Sequence, residues 1–116
     1  MRKYNYPKDT VKNIRQSDQA IVLELTGNID MERSIDLREI LLEILNDKPP
    51  ILTLNMADVK FMDSSGLGTM IEALKRARRH DVEFKLVGLS KNVRSIFEIA
   101  KLVSFFQICD NEDEAL

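Results

Sequence analysis

Short apolar segments alternate along the chain with longer segments in which apolar residues recur every three or four positions. The short segments are bounded by turn-forming residues, a pattern that is typical of β-strands. They predict five strands, at residues 10–15, 20–26, 51–55, 83–87 and 104–108. Gly27 is expected to end the second strand. Only a polar turn separates the first two strands, so we expect them to form an antiparallel hairpin.

The longer segments predict three helices, each of which buries one apolar face. The first covers residues 31–45 with Asp30 as its N-cap, the second runs from about Ser65 to His80, and the third follows Ser90. The side chains expected to be buried are Leu37, Ile40, Leu41, Ile44 and Leu45 in the first helix, Leu67, Met70, Ile71 and Leu74 in the second, and Val93, Ile96, Phe97 and Ala100 in the third.

The resulting element order is β-β-α-β-α-β-α-β, and strands that alternate with helices favour a largely parallel sheet with right-handed crossovers. We therefore predict an α/β fold, with a mixed four- to five-stranded sheet, an antiparallel edge hairpin and crossover helices. The length of 116 residues suits a single domain. We assign residues 10–116 to this domain and residues 1–9 to an N-terminal lead-in. Residues 110–116 are expected to form a helical turn or a frayed tail.

Composition and charge exclude several classes of function. The hydrophobic fraction is 44%, the charged fraction is 31% and the net charge is -2, so the chain has no general attraction for nucleic acid or anionic membranes. No apolar stretch reaches the roughly 20 residues that a membrane span needs, and we expect no secretory signal. Cys109 is the only cysteine, which favours a reducing compartment, the cytoplasm.

Candidate functional side chains are concentrated in the segment FMDSSGLG at residues 61–68, between a predicted strand and a predicted helix. A carboxylate and two hydroxyls meet a helix N-terminus there, where unpaired N–H groups favour negative charge. In the simpler interpretation these side chains only cap the helix. Two serines exceed what a cap needs, since one can cap while the other points at solvent. Gly66 and Gly68 are expected to let another surface approach the backbone.

Catalytic sites find little support in the sequence. Ser64 lacks the Gly-x-Ser-x-Gly elbow, and the only histidine, His80, lies at the far end of the same predicted helix. There is no phosphate-binding loop with a lysine and no metal-ligand cluster, so we expect no enzyme activity, cofactor or metal. The basic run at residues 75–80 is explained more simply by the helix dipole than by nucleic-acid binding.

Three segments together resemble the anti-sigma factor antagonists of the STAS domain family. Residues 61–68 closely resemble the signature of that family, and LTGNID at residues 25–30 is similar to its Leu-x-Gly-x-Leu-Asp strand end. Residues 88–102 are similar to part of its final strand–helix–strand unit. The resemblance covers about residues 10–109 in the order and spacing of the family, and it implies a STAS-type fold and a monomer.

The resemblance also implies a partner switch. Unphosphorylated members of the family bind an anti-sigma factor that is also a serine kinase, and this binding frees the sigma factor. The kinase phosphorylates the first serine after the signature aspartate, here Ser64. The phosphoprotein then dissociates, until a serine phosphatase removes the phosphate. The implied partner-binding residues are Asp30, Asp63, Ser64, Ser65, Gly66, Leu67 and Gly68.

Two alternatives stay open at the level of the sequence. The first is a STAS module that serves another signalling assembly or a transporter-associated complex. The second is a nucleotide-binding protein that uses the same helix end, in which case ATP or GTP should bind tightly whether or not Ser64 is present.

Overall fold

The computed structural model describes residues 2–116, and its elements follow the predicted order of strands and helices. The strands are β1 (Val11–Gln16), β2 (Ala20–Ile29), β3 (Ile51–Met62), β4 (Glu83–Val87) and β5 (Gln107–Cys109). The α-helices are α1 (Met31–Asn46), α2 (Ser64–Arg79) and α3 (Lys91–Ile99). Two short 3-10 turns cover Val103–Phe105 and Asp113–Ala115.

The five strands form one mixed sheet in the order β1-β2-β3-β4-β5. β1 pairs antiparallel with β2, whereas the pairs from β2 to β5 are parallel. Each parallel connection moves the chain one strand further in the same direction, and right-handed connections of this kind place all the helices on one face. The predicted α/β fold with its antiparallel edge hairpin is confirmed.

The hydrophobic core lies between the helices and this face of the sheet. Alternate residues of the central strands point into the core, and the strand register aligns them in rows. The two main rows are Ile21, Leu52 and Phe84, and Leu23, Leu54 and Leu86. None of these six side chains is more than 6% exposed. Burying one such side chain contributes about 1.5–3 kcal/mol, so the rows are a main source of stability.

The C-terminal residues cover part of the opposite face of the sheet. The ammonium group of Lys85, a buried residue on β4, donates to the carbonyl oxygen of Ala115. Glu112 accepts a hydrogen bond of 2.6 Å from Arg15 on β1. Of the two forms expected for this segment, the structure shows the helical turn, at Asp113–Ala115.

Strands β2 and β3 are longer than predicted. β2 continues past Gly27 to Ile29, so the prediction that Gly27 ends the strand is wrong. Gly27 has φ +79°, a left-handed conformation that glycine adopts readily, and the register against β3 shifts directly after it. The strand therefore has an irregularity at this point but does not end. β3 extends from Asn55 to Met62 because its second half pairs with the extension of β2.

The predicted strand at residues 104–108 is only partly correct. A 3-10 turn occupies Val103–Phe105, and only Gln107–Cys109 pairs with β4. Phe106, between them, turns into the core, where its ring centroid lies 5.1 Å from that of Phe97. Because Phe106 packs into the core at this point, the edge strand begins only at Gln107 and is shorter than predicted.

Helix α3 ends one residue earlier than its apolar pattern suggests. Lys101 has φ +59°, and the N–H of Leu102 donates to the carbonyl of Phe97 at 2.8 Å, the hydrogen bond of a Schellman motif. Ala100 is thus the C-cap and is exposed, so its predicted burial is wrong. The predicted burial of Val93 and Phe97 is confirmed, as is the whole predicted stripe of α1.

Helix α2 buries a different face from the one predicted. The buried residues are Gly66, Thr69, Met70, Ala73 and Ala77. Of the predicted stripe only Met70 is fully buried, whereas Leu67, Ile71 and Leu74 are half-buried at the edge of the core. Small side chains bring α2 close to its neighbours, because the distance between packed helices depends on the side chains at the contact.

The residues before β1 pack against the C-terminal end of α1. Tyr4 is 6% exposed, and its hydroxyl donates to the carboxylate of Asp47. Arg2 forms ion pairs with Asp47 and with Glu43, the latter at 2.6 Å. Burial and the bond to Asp47 raise the pKa of Tyr4 to about 12. The division of the chain into a lead-in and a domain at residue 10 stays a prediction.

Candidate functional site

The second halves of β2 and β3 extend beyond the rest of the sheet as a two-stranded arm. β4 pairs with β3 only as far as Asn55, whereas β2 and β3 continue to pair up to Ile29 and Met62, which are register partners. Helices α1 and α2 each begin two residues later. Their N-termini therefore lie side by side at the C-terminal edge of the sheet, where sites concentrate in α/β folds.

An aspartate caps each of these two helices in the same backbone conformation. Asp30 has φ -95° and ψ -174° and accepts a hydrogen bond of 2.9 Å from the N–H of Arg33. Asp63 has φ -98° and ψ -173° and accepts from the N–H groups of Ser65 and Gly66 at 2.9 and 3.1 Å. The prediction that Asp30 caps the first helix is confirmed. Of the three candidate caps for the second helix, Asp63, Ser64 and Ser65, the structure shows Asp63 as the N-cap.

Asp30 lies in a small charge cluster at the start of α1. The hydrogen bond from the N–H of Arg33, followed by the charge of the Arg33 guanidinium, lowers the pKa of the Asp30 carboxyl. The guanidinium lies 3.1 Å from Asp30 and 3.5 Å from Asp9. Asp30 therefore stays ionised at neutral pH, beside the place where α2 begins.

Ser64 is the first residue of α2 and is exposed. Its hydroxyl forms no hydrogen bond to any group in residues 2–116, because Asp63 already occupies the capping position. The next residue, Ser65, is half-buried and donates its backbone N–H to Asp63. The side chain of Ser64 is thus accessible and has no structural role in the described part of the chain.

The two glycines of the segment have different environments. Gly66 is buried, and a Cβ atom there would lie 2.6 Å from the Cγ of Met62 and 2.9 Å from the Cγ2 of Ile29. Gly66 therefore lets α2 press against the ends of both strands, and it presents no surface to a partner. Gly68 is exposed, and a Cβ atom there would meet nothing within 4 Å. Only Gly68 suits the predicted close approach of another molecule.

Contacts between α1 and α2 fix the relative positions of the two helix N-termini. The hydroxyl of Thr69 donates to the carbonyl of Ser34 at 3.4 Å in the buried interface. On the surface, the guanidinium of Arg38 forms contacts of 2.8 and 2.7 Å with both carboxylate oxygens of Glu72. The two aspartate caps therefore belong to one rigid pair of helices.

Large apolar side chains are exposed at the same end of the molecule. Phe61, near the end of β3, is 49% exposed, and Met31 and Ile35, in the first turns of α1, are 69% and 59% exposed. Phe61 is part of the segment singled out in the sequence, but Met31 and Ile35 were missed as site residues. The sequence could have indicated that Ile35 is exposed, because this residue falls outside the apolar stripe that α1 buries.

Residues 2–116 contain no group of three or more histidine, cysteine, aspartate or glutamate side chains placed to hold a metal ion. Within the same residues, no helix is long and apolar enough to cross a membrane.

A match to a known family decides the classification of this fold and site. The model of the STAS domain matches residues 11–115. The chain belongs to the STAS domain family. The matched segment of this STAS domain contains the arm of β2 and β3, both capping aspartates and Ser64, whereas residues 1–10 lie before it.

Similar proteins agree with this classification. Over 91 residues the STAS domain is 28% identical to the anti-sigma-B factor antagonist of Staphylococcus aureus (strain NCTC 8325 / PS 47), covering 78% of this chain and 84% of that protein. Its fold is similar to an anti-sigma factor antagonist from Mycobacterium paratuberculosis, with a TM-score of 0.82, 21% identity and coverage of 96% and 95%. It is also similar to the Bacillus cell fate determinant SpoIIAA in its phosphorylated form, with a TM-score of 0.70, 20% identity and coverage of 89% and 94%.

Proposed function

We propose that this STAS domain is an anti-sigma factor antagonist, which binds an anti-sigma factor and so releases a sigma factor. The observation that carries the proposal is the exposed hydroxyl of Ser64 at the start of α2, which forms no hydrogen bond within residues 2–116 and lies at the same end as a second helix N-terminus and several exposed apolar side chains. The name of the S. aureus relative supports the same function. In this role the domain acts by binding and performs no reaction itself.

The contact surface would combine the predicted site residues with the apolar side chains beside them. Exposed apolar groups rimmed by polar residues mark protein–protein interaction sites. The surface comprises Asp30, Asp63, Ser64, Ser65, Leu67 and Gly68, with Met31, Ile35 and Phe61 as apolar anchors. Gly66 is left out because it is buried.

Phosphorylation of Ser64 would switch this surface off without unfolding the domain. A phosphoserine carries about -1.5 to -2 charges and three acceptor oxygens. The N-terminus of α2 tolerates that charge, because the helix dipole favours anions there, and the free hydroxyl means that no structural bond is lost. A partner packed over Ser64 would instead have to desolvate the dianion, and by excluding water it would strengthen the repulsion between the phosphate and the carboxylates of Asp30 and Asp63. The phosphate therefore penalises the complex more than the free protein.

This switch requires a kinase activity and a phosphatase activity. An anti-sigma factor that is also a serine kinase would phosphorylate Ser64, and a serine phosphatase would reset it. Both are implied by the resemblance of residues 61–68 to the family signature, and both need a serine that is accessible to another protein. The exposure of Ser64 meets that requirement.

Binding of a nucleotide at the start of α2 is less well supported. A phosphate at a helix N-terminus is bound by the free backbone N–H groups of the first turn. At α2 the carboxylate of Asp63 already accepts from the N–H groups of Ser65 and Gly66. A nucleotide phosphate would have to displace an anionic cap, which favours the antagonist function.

A comparison of captured proteins tests the proposal. Wild type, Ser64→Asp and Ser104→Asp would serve as baits in a lysate of the native organism, with mass spectrometry as the readout. Ser104 is an exposed serine outside the site, so its variant controls for the added charge. We expect wild type and Ser104→Asp to capture an anti-sigma factor with a kinase domain, and Ser64→Asp to lose it. Equal capture of the anti-sigma factor by all three baits, or its capture by none of them, would contradict the proposal.

A further inference from the structure

A groove lies between the C-terminal half of α2 and the 3-10 turn that follows α3. It has a volume of about 250 Å³, and its walls are formed by Ile71 and Leu74 on one side and by Leu102 and Phe105 on the other. Lys75 and Arg78 also line it. The proposed antagonist site does not use this groove. Lys75 is eleven residues from Ser64, about 16 Å along a helix that rises 1.5 Å per residue.

The groove is lined by the helix face that was expected to be buried. Ile71, Leu74, Lys75 and Arg78 follow the i, i+3, i+4, i+7 spacing of one helix face. Because α2 packs on α1 and the sheet through its small residues instead, this face stays half-buried or exposed. Its two large apolar side chains are thus left at the surface, at the edge of the core.

The opposite wall is held in a fixed position. The guanidinium of Arg78 donates a hydrogen bond of 3.1 Å to the carbonyl of Phe105 and so ties α2 to the 3-10 turn. The neighbouring Phe106 is buried against Phe97 and anchors the turn in the core. The side chain of Phe105 remains 53% exposed. The groove is therefore a preformed apolar surface.

The charge of the groove is of one sign. Lys75 and Arg78 are exposed, and neither forms an ion pair with a carboxylate in residues 2–116. None of the residues that line the groove is acidic. A ligand would therefore bind best if it placed large apolar side chains in the groove and carboxylates beside Lys75 and Arg78 at its rim.

We propose that this groove docks an acidic amphipathic helix of a partner protein, independently of the phosphorylation state of Ser64. Helix-in-groove recognition places apolar anchors at i, i+3 or i+4 and i+7 into such a surface. Here the anchors pack on Leu74 and Phe105, and flanking aspartates or glutamates pair with Lys75 and Arg78. Charge complementarity of this kind also sets the orientation of the partner.

The basic run that contains Lys75 and Arg78 does not form a continuous cationic patch suited to nucleic acid. Arg76 points elsewhere and donates a hydrogen bond of 3.0 Å to the side chain of Asn46 on α1. Arg78 is partly engaged by the carbonyl of Phe105. Lys75 and Arg78 border an apolar groove, which a phosphate backbone would not fill, and Arg79 does not line it.

The proposal is tested by selecting a displayed library of random 16-residue peptides on the wild-type protein and measuring the affinities of the enriched peptides. Lys75→Glu/Arg78→Glu reverses both rim charges, and Phe105→Ala removes the apolar wall but keeps both cations. The control Lys91→Glu/Arg94→Glu reverses two exposed cations with the same spacing on α3. Ser64→Asp imitates the phosphorylated site.

We expect enriched peptides with apolar residues at helical spacing among acidic ones. Their affinity should fall at least tenfold with each groove variant and stay unchanged with the α3 control and with Ser64→Asp. Amide NMR shifts caused by such a peptide should centre on Ile71, Leu74 and Phe105. Enrichment of basic or neutral peptides, affinities that the groove variants leave unchanged, or displacement of the peptides by a short DNA duplex would overturn the proposal. Loss of binding to the anti-sigma factor would not affect this result, so the two proposals fail separately.

Discussion

At the scale of single residues, the packing of Gly66 determines how closely α2 approaches the strands. Gly66→Ala would place a Cβ atom 2.6 Å from Met62 and 3.0 Å from the backbone oxygen of Ile29. Strain of this kind costs about 1–3 kcal/mol. We expect the free energy of unfolding in urea to fall by that amount. Gly68→Ala is the matched control, and because it meets no atom within 4 Å it should stabilise the helix by roughly 0.5–1 kcal/mol. Equal effects of the two changes would contradict this account.

Single residues also show what the sequence did and did not reveal about the site. The cap at Asp30 was predictable because no other capping side chain is adjacent to it. At residues 63–65 three capping residues follow one another, and the sequence alone does not say which becomes the N-cap. The strand pairing decides, because β3 stays paired with β2 up to Met62 and Asp63 is the first residue free to cap. This leaves the hydroxyl of Ser64 without a hydrogen bond in the described residues 2–116.

At the scale of secondary-structure elements, α2 depends on the small residues of its buried face. Ala73 is 1% exposed, and Ala73→Leu would insert a larger side chain into this close contact. We expect a loss of about 1–3 kcal/mol in the free energy of unfolding, measured by thermal or urea denaturation. Ala100→Leu serves as the control, since Ala100 is an exposed helix end, and it should change stability by less than about 0.5 kcal/mol. If Ala73→Leu left the free energy of unfolding unchanged and Ala100→Leu lowered it, the buried faces predicted from the sequence would be correct and those of the structure wrong.

The elements themselves were predicted well where the pattern is local and less well where it depends on neighbours. The stripe of α1 follows a regular apolar spacing, and its burial is confirmed. The face of α2 was wrong because hydrophobicity ranks leucine above alanine, whereas close packing on α1 favours the small side chains. The arm of β2 and β3 was missed because polar residues such as Asp58 and Lys60 interrupt its pattern. Both nevertheless lie in β3, because the second half of this strand pairs with β2.

At the scale of the whole molecule, the stability of the fold should depend on pH through the contact between Tyr4 and Asp47. The pKa of Tyr4 is raised from 10.0 to about 12, chiefly by burial and then by the bond to Asp47, so the fold prefers the neutral phenol. This contribution is fully present below pH 10 and is lost as the pH rises towards 12. Its size is on the order of 2 kcal/mol.

Tyr4→Phe tests this contribution. We expect the variant to be less stable than wild type at pH 8, and the difference to shrink as the pH approaches 11.5 in urea unfolding. Tyr6→Phe is the control, because Tyr6 forms no side-chain hydrogen bond within residues 2–116, and its difference from wild type should not depend on pH in the same way. A constant difference between Tyr4→Phe and wild type across this range would refute the coupling.

The central claim for the whole molecule is that phosphate on Ser64 abolishes partner binding while the fold stays intact. The most direct measurement compares the affinity of the captured anti-sigma factor for the unmodified chain and for the chain phosphorylated at Ser64, together with the melting temperature of each. The chain phosphorylated at Ser104 is the control. The account predicts a loss of affinity of at least a hundredfold, about 2.8 kcal/mol, for Ser64 alone, with a melting temperature within a few degrees of the unmodified protein. Unchanged affinity, or a phosphorylated chain that unfolds, would contradict it.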